Sequence, residues 1–274
     1  YVPDVLPADK SLVWANQLLS ATVAVAGAVG AGVATGVVAL TGSSYGALVA
    51  AAVCYGISTV AVLAPLPGEK HLSPAERELE MDPEAARLPA RTIGAGVALA
   101  VIRFSTGFLT LLLAFATRDN HAEFSAMAIA AVLGGALGTF TAGAVRQLMP
   151  AWMLPPVLLG VLAAMAGSAA VDVHSAWGIA LALTSAFVWS AGKVSFDGAT
   201  QQLTCPRGRR RVIARYTVGF QICWIVGAAA ALTPVEPTYA LTALALGCAL
   251  GLIGAIKQAE VKLPSLASLL AFER

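Results

Sequence analysis

The sequence predicts an all-α integral membrane protein of about eight transmembrane helices, and two observations support this class. Of the 274 residues, 58% are hydrophobic and only 12% are charged, whereas soluble domains carry roughly a quarter charged residues. In addition, the chain holds apolar runs long enough to cross a bilayer as a helix, which takes about 17–25 residues. The runs cover 12–40, 45–64, 92–117, 124–145, 151–171, 175–196, 212–233 and 238–256.

Each run is expected to be a helix because backbone groups in hydrocarbon must find their hydrogen-bond partners within the segment. The first, second, fourth, fifth and eighth runs contain no Asp, Glu, Lys or Arg. The alternating segments of about ten residues that are typical of a transmembrane β-barrel do not occur. The lipid bilayer is therefore the first predicted partner.

The connections between the runs alternate in charge. Connections on one side, together with both chain ends, hold fourteen of the 17 Lys and Arg residues, and those on the other side hold only Arg118. Cytoplasmic loops carry the excess of cations in membrane proteins. This pattern predicts a multi-pass protein of the cell (plasma) membrane with both termini of the chain in the cytoplasm.

The longest connection divides the chain. Residues 65–91 are charged and contain several prolines, which predicts a cytoplasmic linker. Residues 1–64 would form two transmembrane helices, and 92–274 a six-helix bundle with a cytoplasmic tail. Since the chain begins at Tyr1 without a signal peptide, it is expected to be part of a longer protein.

Three stretches of sequence are informative together: 2–7 and 15–20 with the glycine-rich run that follows, 103–115, and 197–201 continuing through 207–228. They resemble the major facilitator superfamily, and in particular exporters of high-GC Gram-positive bacteria. The resemblance implies that the runs correspond to helices five to twelve of a twelve-helix fold, with the first four absent and 65–91 as the loop between the halves. Where the family has a Gly-Pro step in its fifth helix, this chain has Gly30 followed by Ala31.

The resemblance also implies a function. A secondary active transporter of this type would export a small amphipathic molecule by alternating access, with protons as a candidate coupling ion. The alternative is a non-transporting membrane scaffold or subunit, or a truncated transporter without function.

Polar residues within the runs are the candidates for substrate passage and gating, because ionisable groups inside a bilayer are costly and often functional. Arg103 lies in the third run, where it would either reach the cytoplasmic interface or take part in substrate passage. Lys193 and Asp197 are four residues apart and share a helix face, so a local ion pair is one interpretation. In the other, Asp197 forms a cytoplasmic gate with Arg209 or Arg215, and Gln201 and Gln202 contribute hydrogen bonds. The further residues of this set are Gln201, Arg209, Arg215 and Gln221.

Glycines spaced for close helix packing are a second group of candidates, since the GxxxG pattern lets another backbone approach. They are Gly27, Gly30, Gly32, Gly36, Gly134, Gly138, Gly247 and Gly251. The deeper tryptophans, Trp189 and Trp224, would either pack or line a pathway.

The sequence indicates no enzyme, cofactor, metal or nucleic-acid site. The three histidines are scattered in loops, and the four cysteines form neither a CxxC motif nor a Cys/His cluster. The basic cluster at 207–211 has no accompanying aromatic platform and is explained by topology and anionic lipid headgroups.

Overall fold

A computed structural model describes residues 88–258 apart from 175, 204 and 205, together with scattered positions between 22 and 57. Within this part of the chain the secondary structure is helical and no strand occurs. Six helices are defined: α1 (Ala90–Ala116), α2 (His121–Leu148), α3 (Leu154–Ala169), α4 (Ala176–Leu203), α5 (Pro206–Ala230) and α6 (Pro237–Gln258). The predicted all-α class is confirmed for these residues.

Five helices of the described region are long and apolar enough to cross a membrane: α1, α2, α4, α5 and α6. They are consistent with a multi-pass membrane protein. Helix α3 is also apolar but has only 16 residues. It begins at Leu154, three residues later than predicted, with prolines in its first turn, where the missing N–H and fixed φ of proline are tolerated. The predicted total of eight spans stays a prediction.

Two helices extend six or seven residues past one end of the apolar runs that predicted them. Helix α4 continues to Leu203, whereas its run ends at 196, and α5 begins at Pro206, six residues before its run. Gln and Arg are good helix formers, so a helix continues into polar sequence beyond the hydrocarbon. Hydropathy therefore located the apolar part of each helix but not its ends.

The described residues of the first two runs are helical on both sides of a turn at Gly42. Gly42 has a φ of 66°, a left-handed conformation that glycine adopts readily, and it lies in the predicted loop at 41–44. A Cβ added at Gly46 would lie 3.0 Å from Val37 Cγ1, so the two helical segments approach each other. The linker at 65–87 and the tail after Gln258 lie outside the described residues, and the predicted domain boundaries stay predictions.

Helix α1 begins within the last residues of the predicted linker. Arg91 is its second residue, and the guanidinium lies 5.2 Å from the centre of the Trp152 ring, just before α3. Cation–π contacts of this kind contribute about 0.5–1 kcal/mol at exposed sites. The contact joins the start of α1 to the start of α3.

The contacts among the six helices relate a first group, α1 to α3, to a second group, α4 to α6. Helix α2 packs on α4 and α5 packs on α1; α3 packs on α4 and α6 packs on α1; α1 also packs on α4, and α3 on α6. Exchanging α1 with α4, α2 with α5 and α3 with α6 leaves this set of contacts unchanged. An up-and-down order of consecutive spans would make α1 and α4 run oppositely, and the exchange would then correspond to an inverted repeat. Lesser contacts of α1 with α3 and of α4 with α5 have no counterpart of similar extent.

Glycines allow the closest helix crossing between α1 and α5. A Cβ added at Gly107 would overlap the backbone carbonyl oxygen of Trp224, and one added at Gly227 would overlap that of Phe104. Each helix therefore contributes one glycine to the crossing, and each glycine faces backbone of the other helix. A side chain at either position would require the two helices to separate.

The equivalent crossing between α2 and α4 uses two glycines of α2. A Cβ added at Gly134 would overlap the backbone carbonyl of Leu183, and one at Gly138 that of Phe187. This pair occupies a close backbone contact between helices, the role for which its spacing was singled out.

The other candidate packing glycines for which neighbours are described do not face the backbone of another helix. A Cβ at Gly251 would lie 3.0 Å from a methyl group of Val101, whereas no described atom lies within 4 Å of one built at Gly30, Gly36 or Gly247. Gly27 and Gly32 lie outside the described residues.

Candidate functional site

Arg103 lies at the midpoint of α1. Thirteen residues separate it from each end of the helix, which corresponds to about 20 Å in either direction. The side chain is therefore distant from both ends of α1, and its contacts are with α4 and α5. The interpretation in which it reaches the cytoplasmic interface stays a prediction.

The guanidinium of Arg103 lies among two indole rings and one amide. Its carbon Cζ is 4.3 Å from the centre of the Trp189 ring and 5.7 Å from that of Trp224. Its Nη2 donates a hydrogen bond of 3.1 Å to Oε1 of Gln221. Arg103 thus joins α1 to the middle of α4 and to α5. The structure brings together two of the predicted pathway residues, Arg103 and Gln221, and adds both deep tryptophans.

The charge of Arg103 has no acidic partner among the described residues. Ion pairs of this region join Arg118 with Asp119, His174 with Glu123, and Lys193 with Asp197. The Nε of Arg103 is buried and makes no hydrogen bond to the described residues. A buried donor without a partner is rare in proteins and calls for an explanation.

A polar stripe on α4 continues from the arginine. Trp189, Lys193, Asp197 and Gln201 follow at intervals of four residues and therefore lie along one side of the helix. Lys193 Nζ donates to Asp197 Oδ2, and each of these two side chains is 24% exposed. Oε1 of Gln201 is buried and has no partner in the described region. The stripe leads from the middle of α4 to its C-terminal end.

The ion pair within α4 bears on the predicted gate. Asp197 pairs with Lys193 on its own helix, which is the local interpretation of this spacing. Arg215 is exposed on α5 and is not among the ion-pair partners of Asp197 in the described region. Arg209 lies in the first turns of α5, and its side chain is outside the described residues. The gate between Asp197 and these arginines stays a prediction about another conformation.

Aromatic rings fill the space beside the stripe, where α1, α4 and α5 meet. The Phe196 ring packs edge-on against Tyr216 and Phe220, with centroids 5.0 and 5.7 Å apart, and Phe220 packs edge-on against Trp189 at 5.8 Å. The ring of Tyr216, a residue of α5, covers Gly96 of α1, where an added Cβ would lie 2.7 Å from the ring. Since Gly96 precedes Arg103 by two turns, these rings close the region between Arg103 and the first turns of α1.

An apolar cavity of about 700 Å³ lies on another side of α1. Its walls come from α1, α5 and α6 and include Phe104, Cys223, Gly247 and Cys248, but not Arg103. Its polar contact is a 3.3 Å hydrogen bond between Ser105 Oγ and Cys248 Sγ. The cavity is thus separate from the charged cluster, and Gly247 lines it.

From the sequence, Trp189 and Trp224 were expected either to pack or to line a pathway, and their contact with Arg103 was not predicted. Their spacing on α4 carried a usable signal, since Trp189 stands four residues before Lys193. The pairing of Trp224 with Arg103 across more than a hundred residues had no such local signal. In the described residues there is also no group of His, Cys, Asp and Glu that could hold a metal ion.

No protein-family model, no curated protein and no solved structure matches the chain.

Proposed function

We propose that the chain is the larger part of a secondary active transporter of the major facilitator type. The observation that carries the proposal is Arg103, a cation at the midpoint of an apolar helix with polar and aromatic partners on two others. Ionisable residues at such depth are expensive and mark substrate or ion pathways.

The helix packing supports the same proposal. Transporters of this class are built from inverted repeats of three helices within each six-helix half, with substrate sites near the middle of the bilayer at the repeat interface. Helices α1 and α4, which correspond under the exchange of the two groups, supply Arg103 and Trp189. The site therefore lies where the two groups meet.

In the proposed mechanism the six helices form one bundle, and the helices at 12–64 belong to the other. The bundles rock about the Arg103 site in the plasma membrane, with both ends of this chain in the cytoplasm. The stripe through Lys193 and Asp197 would then connect the site to the cytoplasm, and a small amphipathic molecule would move outward along it. Asp197, the one acidic residue of α4, is the candidate for coupling to protons.

Flux measurements test this proposal. The full chain in sealed proteoliposomes should move at least one compound from a broad panel of amphipathic drugs and metabolites down its gradient. The Arg103→Gln variant should lose roughly tenfold or more of that flux. Arg118→Gln, which removes an exposed cation of the α1–α2 loop, is the matched control and should keep it. No flux across the panel would contradict transport and favour the non-transporting membrane subunit.

A further inference from the structure

The charge balance around Arg103 indicates what the site binds. Lys193 and Asp197 form an ion pair and neutralise each other, which leaves Arg103 as the unbalanced charge of the cluster. Its partners are two indole rings and a neutral amide. The contacts orient the guanidinium and attract it, but they do not cancel its charge.

The described region offers few other acidic residues that could do so. The sequence contains no Asp or Glu between Asp9 and Glu69, so the first two apolar runs cannot supply a carboxylate. Among the described acids, Asp119, Glu123 and Asp172 lie beyond Ala116 or around the start of α4, away from the midpoint of α1, and Glu236 lies between α5 and α6. A cation held away from water without a counter-ion is strongly unfavourable.

The hydrogen-bonding of the guanidinium is also incomplete. Arginine has five N–H donors in a planar fork that matches the two oxygens of a carboxylate. Gln221 accepts from Nη2, and the buried Nε has no partner in the described region. A carboxylate that accepts from Nε together with an η nitrogen would supply both the missing acceptor and the missing charge.

We infer that the Arg103 site selects an anionic amphipathic substrate, whose carboxylate pairs with the guanidinium between Trp189 and Trp224. This inference rests on the proposed transport function and names its substrate class. The two indole faces hold the fork in place, and Gln221 fixes its rotation. Neutral and cationic analogues leave the charge of Arg103 unbalanced and are rejected.

Binding of head-group series provides the test. The probes are cinnamate, cinnamamide and cinnamylammonium, and octanoate, octanamide and octylammonium, so that each body occurs with an anionic, a neutral and a cationic head. The purified full chain is titrated in detergent, with thermal stability and equilibrium binding as readouts. At least one carboxylate should raise the Tm and bind roughly tenfold or more tightly than its amide, because the pairing of opposite charges away from water is lost with the amide.

Variants separate this inference from the transport proposal. Arg103→Gln should remove the preference for the carboxylate, Arg103→Lys should keep it with weaker binding, and Arg118→Gln should leave it unchanged. The inference is overturned by equal binding of the amide or the ammonium compound, by persistence of the preference in Arg103→Gln, or by a panel in which no carboxylate binds. Carboxylate binding without flux would contradict transport alone, whereas flux of only neutral or cationic compounds would contradict the anionic class alone.

Discussion

Alanine at Gly107 should lower the free energy of unfolding by about 1–3 kcal/mol, the typical range for overpacking a close contact. The added Cβ would overlap the backbone carbonyl of Trp224, and backbone cannot rotate away as a side chain can. Relief requires α1 and α5 to separate, which moves Trp224 and Gln221 away from Arg103. The variant should therefore lose both stability and the geometry of the site.

The matched control lies on α5 itself. An added Cβ at Gly219 has no described atom within 4 Å, and alanine is favoured over glycine in a helix by up to about 1 kcal/mol. Gly219→Ala should leave stability unchanged or raise it slightly. Thermal unfolding in detergent, followed by tryptophan fluorescence, compares the two variants. Equal stability of Gly107→Ala and Gly219→Ala would contradict the close crossing of α1 and α5.

Methionine at Arg103 should have the opposite effect and raise the free energy of unfolding by about 1–4 kcal/mol. Replacement of a buried ion pair or triad by apolar residues of similar volume often stabilises proteins by this amount, and we expect a gain toward the lower end of this range for the half-buried Arg103. The substitution removes a hydrogen bond to Gln221 and contacts with two indole rings. It also removes a charge without an acidic partner and a buried Nε without an acceptor in the described region. We expect the stability gained in this way to exceed the stability lost with the contacts.

This result would show that Arg103 is kept for function at the expense of stability, a common compromise at functional sites. Arg118→Met is the comparison, because its side chain is 74% exposed and such surface changes usually stay within about 0.5 kcal/mol. Chemical or thermal unfolding of both variants in the same detergent gives the difference. A clear loss of stability in Arg103→Met would mean that the guanidinium is already well satisfied in the absence of substrate.

The sequence predicted those features of the protein that depend on local composition. Apolar runs located the helices of the described bundle, because a membrane-spanning segment must be both apolar and hydrogen-bonded within itself. The ends of α4 and α5 were missed, since Gln and Arg continue a helix past the apolar segment. The Lys193–Asp197 pair followed from a spacing of four residues and lies as that spacing suggests.

Features that depend on packing between distant helices were beyond the sequence. Gly107 and Gly227 are not part of any GxxxG pattern, yet they form a closer crossing than Gly247, which lines a cavity. Likewise, the position of Arg103 in its run did not show which side chains of other helices surround it. Its contacts with Trp189 and Trp224 exist only because α4 and α5 pack against the same helix.

Alternating access requires that the Arg103 site opens to each side of the membrane, and labelling of a single cysteine measures this opening. Gln221→Cys is introduced after serine replaces Cys54, Cys205, Cys223 and Cys248, and a membrane-impermeant thiol reagent is applied to either side of oriented vesicles. Leu250→Cys, at an exposed apolar position of α6, is the control and should react from neither side. Alternating access predicts that Gln221→Cys reacts from both sides, with a carboxylate substrate slowing both reactions. Reaction from one side only, or from neither, would contradict the account.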